Sequence, residues 1–336
     1  MMSAIFRLRF LVAPVAIVAV TAGCSANTAI KPPLTFLQNV QLPIDTTKPS
    51  LDLLTLDERN SRLYVSHSSS NSLDIVDVKS AALLGSVPGL KSIKGTALTP
   101  DPNIVFTSNS GDGTVSVVDV AARKVTDTIK VGITTDAIEY DRPNDLIVVA
   151  LSSDRRVALI DRSTKKVLGA VPIPGKPELF AIDQLTGKIY LAINDKDEVV
   201  GIDPVTKAIT ETYSGCDIHS PTGMVFDPDQ GRLFVVDSIV HSANVVSVID
   251  VLIGKCLGSI DIDHGPDQAA FNQHLHHMYV ANAGSNNISV IDTVSMRPLG
   301  IIGSGKQAAT IAVDPSTDRV CVGVARAGLI GIYHDP

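Results

Sequence analysis

Met278-Tyr279-Val280-Ala281-Asn282-Ala283-Gly284-Ser285-Asn286-Asn287-Ile288-Ser289-Val290-Ile291-Asp292 decides how the rest of the chain is read. Two apolar-alternating runs flank a small polar turn, and an aspartate closes the second run. A period of two marks such runs as strands, and the Gly-Ser-Asn-Asn between them marks a tight connection. Aspartates ending similar runs recur at Asp77, Asp119, Asp161, Asp203, Asp250 and Asp292, spaced 42, 42, 42, 47 and 42 residues apart. One more step of 42 lands on His334, which gives seven units.

Within the units, runs such as Arg62-Leu63-Tyr64-Val65-Ser66 and Lys188-Ile189-Tyr190-Leu191-Ala192 alternate, and Asp227-Pro228-Asp229-Gln230-Gly231 and Asp314-Pro315-Ser316-Thr317-Asp318 supply turn chemistry between them. Helical spacing never persists. Four short strands in about 42 residues is the proportion of a β-propeller blade. The predicted fold is therefore all-β: a seven-bladed β-propeller of four-stranded antiparallel blades, forming one domain over 34–336. The last unit, Lys306 to Pro336, has room for only three strands, while Leu34 to Leu42 is a spare strand with no unit of its own. That N-terminal strand is expected to close the seventh blade from outside and remove an open edge.

Tyr279-Val280-Ala281-Asn282 followed by Ser289-Val290-Ile291-Asp292 resembles the repeat of the YVTN family of seven-bladed propellers, with Ala281 where the family name has threonine. Tyr64-Val65-Ser66-His67, Phe106-Thr107-Ser108-Asn109 and Tyr190-Leu191-Ala192-Ile193 are weaker copies. The resemblance implies the propeller fold and membership among exported bacterial and surface-layer-like proteins. It chooses no activity, because one fold hosts many functions.

The N-terminus carries Arg7 and Arg9, then an apolar run from Phe10 to Val20, then Thr21-Ala22-Gly23-Cys24. These are the parts of a secretory signal over 1–23, too short to span a bilayer. Ala22-Gly23-Cys24 resembles a bacterial lipobox, although Thr21 departs from its usual aliphatic residue. Cys24 is thus the candidate lipidation site, with 24–33 as a tether and membrane attachment through the lipid. The implied location is the periplasm or the outer membrane of a bacterium.

The chain bears a formal charge of −7, and its cysteines are Cys24, Cys216, Cys256 and Cys321. The acidic balance argues against nucleic acid as a partner. No paired-cysteine spacing indicates a disulfide scaffold or a thiolate zinc site. Strand counting puts Cys216 and Cys256 toward opposite faces, which predicts that they stay unpaired, and Cys321 is predicted to be a buried thiol.

The repeated aspartates are predicted to cap turns, since Asp161, Asp203 and Asp292 each have a hydroxyl three residues on. The candidate chemistry lies elsewhere. The residues leading into each innermost strand form one column: Asp52, Lys94, Asp136, Glu178, Thr222, Asp267 and Ala309. Gathered at a channel mouth, four carboxylates and one lysine would attract a cationic ligand and raise some carboxylate pKa values. His219 and His264 precede Thr222 and Asp267 by three residues, and His241 and His67 fall in loops expected on the same face. His219, His241, His264 and Asp267 are the candidate ligands of a transition metal or haem-like group, although no cofactor is firmly implied. His274-Leu275-His276-His277 is placed on the opposite face and read as a polar turn, with metal binding the lesser alternative. No Gly-x-Ser-x-Gly elbow occurs, and the chain has no tryptophan with which to build a quinone-docking blade. Two functional readings follow. One is a monomeric scaffold that binds a small molecule or protein through the channel mouth. The other is a periplasmic metal- or cofactor-dependent enzyme or cofactor carrier, akin to haem d1, lyase or lactonase propellers.

Overall fold

The computed structural model describes residues 33–43, 48–238 and 244–336. The signal, Cys24, all of the tether but Pro33, and His241 lie outside them. Seven sheets of four antiparallel strands are present; in six of them the chain runs from the innermost to the outermost strand, and in the seventh the outermost strand comes from the N-terminal side of the chain. Blade one comprises Leu54–Asp57, Arg62–His67, Ser72–Asp77 and Ala82–Pro88. No helix among the described residues is long and apolar enough to cross a membrane.

Alternation fades in the middle of each blade for a physical reason. A middle strand such as Leu146–Leu151 is covered by a neighbouring blade on each face, so all six of its residues are buried. An outer strand such as Lys124–Lys130 touches solvent and is polar. The core is a series of apolar layers between successive blades, for example the layer joining Leu159 and Val171 of blade three to Leu191 and Ile202 of blade four.

The polar residues of the repeat build the blades. Asn282 Nδ2 donates to Ser289 Oγ at 2.8 Å, and Asn109 Nδ2 to Ser116 Oγ at 2.9 Å, each across the two middle strands. The Asn of one run and the Ser of the next are therefore one cross-strand bond. The turn aspartates cap as expected. Asp77, Asp161 and Asp292 accept the backbone N–H of Ser80, Thr164 and Ser295 at 2.7, 2.7 and 2.9 Å. The backbone bond from Thr164, with its hydroxyl, holds the Asp161 carboxyl down at about 2.

Thr35–Gln41 pairs antiparallel with Leu329–His334 and forms the outer strand of blade seven. Val40 is buried in the layer between blades seven and one, and the Phe36 and Tyr333 rings meet edge to face at 5.4 Å. The C-terminus has more to do than end the chain. Asp335, 4% exposed, accepts from Tyr279 Oη at 2.6 Å and pairs with His277 Nδ1 at 2.7 Å, which ties it to blade six.

Cys321 is a buried free thiol, as predicted. Cys216 and Cys256 are not free: they form a disulfide with Cα atoms 5.5 Å apart. Strand counting fails here because the connection between blades four and five does not stay at the face where it begins. Gly215, Cys216, Asp217 and Ser220 all have positive φ. The resulting turn lays Cys216 beside Val248 and sets Asp217 to accept from Ser259 on the outer strand of blade five. Closing a 40-residue loop is worth about 3–4 kcal/mol. Cys256→Ser is accordingly expected to lower Tm by about 5–6 °C in calorimetry. Deleting residues 34–41 should cost more, because it uncovers the edge of Leu329–His334 and the apolar layer beneath Val40; loss of the cooperative transition in the same measurement is the expected outcome.

Candidate functional site

The innermost strands run along a central channel, and the residues leading into them surround one of its mouths. Asp52, Lys94, Asp136, Glu178, Asp267 and Ala309 line one cavity of about 280 Å³, together with Lys176. Six of the seven column positions thus converge. Thr222 is not among the lining residues; its hydroxyl turns back to the carbonyls of Val236 and Asp267 at 3.4 and 3.5 Å.

Two of the carboxylates are paired. Lys94 Nζ donates to Asp52 Oδ2 at 2.7 Å, and Lys176 Nζ bonds Glu178. Among the described residues, Asp136 and Asp267 have no ion-pair partner. Burial, only partly offset by Lys94, pushes the Asp136 carboxyl up to about 6. Burial, then repulsion from Asp52, Glu178 and Asp136, pushes Asp267 up to about 7. Asp267 is exposed, but to a cavity walled by the chain, where a charge is solvated less well than on an open surface. Asp52 is raised too, since burial outweighs the pull of Lys94. For Lys94 the balance reverses: burial would lower it, but Asp52, with Asp136 and Asp267 behind it, raises it.

Below the mouth lies a second chamber of about 410 Å³ that shares Leu53, Leu179 and Gln268 with the first. Its walls are largely apolar, with Ile138, Phe180 and Met224 among them. Glu139 is its one acidic lining residue, and it accepts from Gln184 Nε2 at 3.0 Å. Burial pushes its carboxyl up to about 8. Glu139 and Lys176 are the functional candidates that the column missed. Glu139 follows Asp136 by three residues, so a second column read deeper along the innermost strands would have found it.

The histidines fare differently. His67 is not at the mouth: it is 1% exposed, with Nδ1 on Asp74 at 2.8 Å and Nε2 on Ser70 at 3.1 Å. It ends its strand at the register position that Asn109 and Asn282 hold in their blades, so it makes the same cross-strand bond. His219 is exposed, 3.8 Å from Asp197, and its backbone N–H donates to Asp237. Asp237 also accepts from Ser247 at 2.6 Å, and burial pushes it up to about 7. His264 is exposed, and its backbone is bonded to Ser285. His219, His264 and Asp267 do not come within ligand distance as a group of three.

On the opposite face each histidine of the 274–277 turn faces an aspartate. His274 stands 3.6 Å from Asp318, His276 3.9 Å from Asp227, and His277 2.7 Å from Asp335.

Fold and channel together define the class: a seven-bladed β-propeller with an acidic channel mouth. Among solved structures the chain is similar to hydrazine synthase of Kuenenia stuttgartiensis, with a TM-score of 0.77 and 17% identity over 86% of this chain and 96% of that one. At that identity the likeness shows the fold alone. No family model and no curated protein matches the chain, so the YVTN resemblance rests on the repeat residues themselves.

The raised carboxyls tie stability to pH. Asp136 and Asp267 have folded pKa values above their ordinary 3.8, so between about pH 4 and 7 the folded state binds more protons than the unfolded chain. Stability from these two groups falls as pH rises through that window. Asp267→Asn should therefore leave Tm unchanged at about pH 3.5, below the ordinary carboxyl pKa, and raise it by about 1–2 °C at pH 8, which corresponds to about 1 kcal/mol once solvent screening is discounted.

Proposed function

We propose that the chain is an exported, lipid-anchored propeller of the YVTN type that binds a cationic ligand, or a cationic group of a partner protein, at its channel mouth. The observation that carries this reading is the convergence of Asp52, Asp136, Glu178 and Asp267 around only two lysines in one cavity. Low-dielectric walls concentrate the field of such a ring toward its opening. Asp136 and Asp267, which lack ion-pair partners, are the carboxylates an incoming cation would engage. The largely apolar chamber beneath suits a ligand with a hydrocarbon portion.

Export is supported by the signal-like N-terminus and by the Cys216–Cys256 disulfide, since such bonds persist in oxidising compartments. In cells making the full chain, radiolabelled palmitate is expected on the protein and the protein in the membrane fraction; Cys24→Ser should abolish both.

The binding reading is tested by calorimetric titration with spermidine and, separately, calcium. Affinity should rise between pH 5.5 and 8 as Asp136 and Asp267 ionise. It should fall at least about tenfold in the Asp136→Asn/Asp267→Asn variant, the loss of about 1.4 kcal/mol. Absence of binding to either cation, or equal binding by the variant, would overturn the reading.

A further inference from the structure

We propose that Asp227, Asp229 and His276 form a site for one zinc-like divalent ion that bolts blade five to blade six on the face opposite the channel mouth. One ligand atom from each residue lies within 4.8 Å of the other two, and no other group of three metal-ligating side chains among the described residues does so. Asp227 and Asp229 belong to the turn after the innermost strand of blade five, and His276 belongs to the matching turn of blade six.

The imidazole is the telling member. His276 Nδ1 is shut off from solvent and has no hydrogen-bond partner. It stands 3.9 Å from Asp227 Oδ2, beyond hydrogen-bond range. Two ligands bound to one zinc ion sit roughly 3–4 Å apart, and His276 Nδ1 and Asp227 Oδ2 have that separation already, at 3.9 Å. The His276 side chain as a whole is 36% exposed and Asp229 is exposed, so the site lies at the surface although Asp227 and Nδ1 are covered.

Comparison among the blades separates this site from ordinary turn chemistry. The left-handed residue of this turn is Ser61 in blade one, and its hydroxyl donates to Asp314 of blade seven at 3.3 Å. In blade four the same place is Gly187. Only between blades five and six does an imidazole occupy it. Two residues beyond the turn position, blades one, three, four, six and seven carry Arg59, Pro143, Leu185, His274 and Ser316 where blade five carries Asp229; blade two does carry a carboxylate there, Asp101, but the matching left-handed residue of blade three is Asp145 and not an imidazole. Imidazole and a second carboxylate therefore coincide at one interface.

The carboxylates are held in place before any ion arrives. Asp227 accepts from Gln230 Nε2 at 2.6 Å and Thr293 Oγ1 at 3.4 Å, and Asp229 from Gln273 Nε2 at 3.0 Å. One nitrogen and two carboxylates suit zinc better than calcium or magnesium, which favour all-oxygen shells. Water would complete the coordination.

The test uses untagged mature protein stripped with chelator and titrated with zinc chloride alone. One equivalent is expected by calorimetry and by metal analysis after gel filtration, with Tm raised by at least about 2 °C. His276→Asn keeps a residue tolerated at φ 55, and Asp229→Asn is isosteric and exposed, so both variants should fold. Each should weaken zinc binding by at least about tenfold, while Asp136→Asn/Asp267→Asn should bind zinc here as the parent does. Failure to bind an equivalent of zinc, or retention of parental affinity in both single variants, would overturn the proposal without touching the channel-mouth reading.

Discussion

A blade cannot bury its own faces, and every other feature of this molecule depends on that constraint. Each four-stranded sheet is apolar on both sides in its middle strands, so it is stable only between two others, and the row of blades must close on itself. Closure is made twice. At the rim, Thr35–Gln41 pairs with Leu329–His334. At the axis, the Gln268 side chain of blade six accepts from Thr310 Oγ1 and the Ile311 N–H of blade seven and donates to the Leu54 carbonyl of blade one. One amide thereby joins three blades across the seam between the first and last units.

Periodicity carries information along a strand, and this sets what could be read without coordinates. The 42-residue step fixes which residue leads into each innermost strand, so the convergence of Asp52, Lys94, Asp136, Glu178 and Asp267 was legible from spacing alone. The capping role of Asp161 and Asp292 was legible from the hydroxyls that follow them. Relations between blades were not. Gln268 looks like an ordinary polar residue until its neighbours are seen, and Asp335 looks like a frayed end until Tyr279 is found bonded to it. His67 was misplaced because one residue separates a strand end from a loop, and that residue decides between a buried cross-strand bond and an exposed ligand. Cys216 was misplaced because positive φ at four nearby residues redirects a connection that counting treats as straight.

The two ends of the channel axis differ in chemistry. The mouth gathers carboxylates, of which Asp52, Asp136 and Asp267 are pushed toward neutrality, an arrangement costly to the fold and suited to receiving positive charge. The opposite face instead sets single aspartates beside single histidines: Asp318 near His274, Asp227 near His276, Asp335 on His277. Function in a repeat protein is sought where units depart from their consensus, and both faces depart most in blades five and six. The disulfide, the longer unit and the histidine-bearing turn all fall in that sector.

The pairing of the first described strand with the last has a consequence for how the ring is made. Thr35–Gln41 is synthesised more than 280 residues before Gly331, the partner of Asn39. Until then blades one to six can stack in order, but the arc remains open at both ends, with bare apolar layers and an unpaired strand edge. The meeting of these two strands is a contact of nearly maximal sequence separation, the kind whose loop-closure entropy must be met before the contact rewards the fold. Closure therefore does more than complete a blade: it hides the strand edge through which an open arc would pair with another chain.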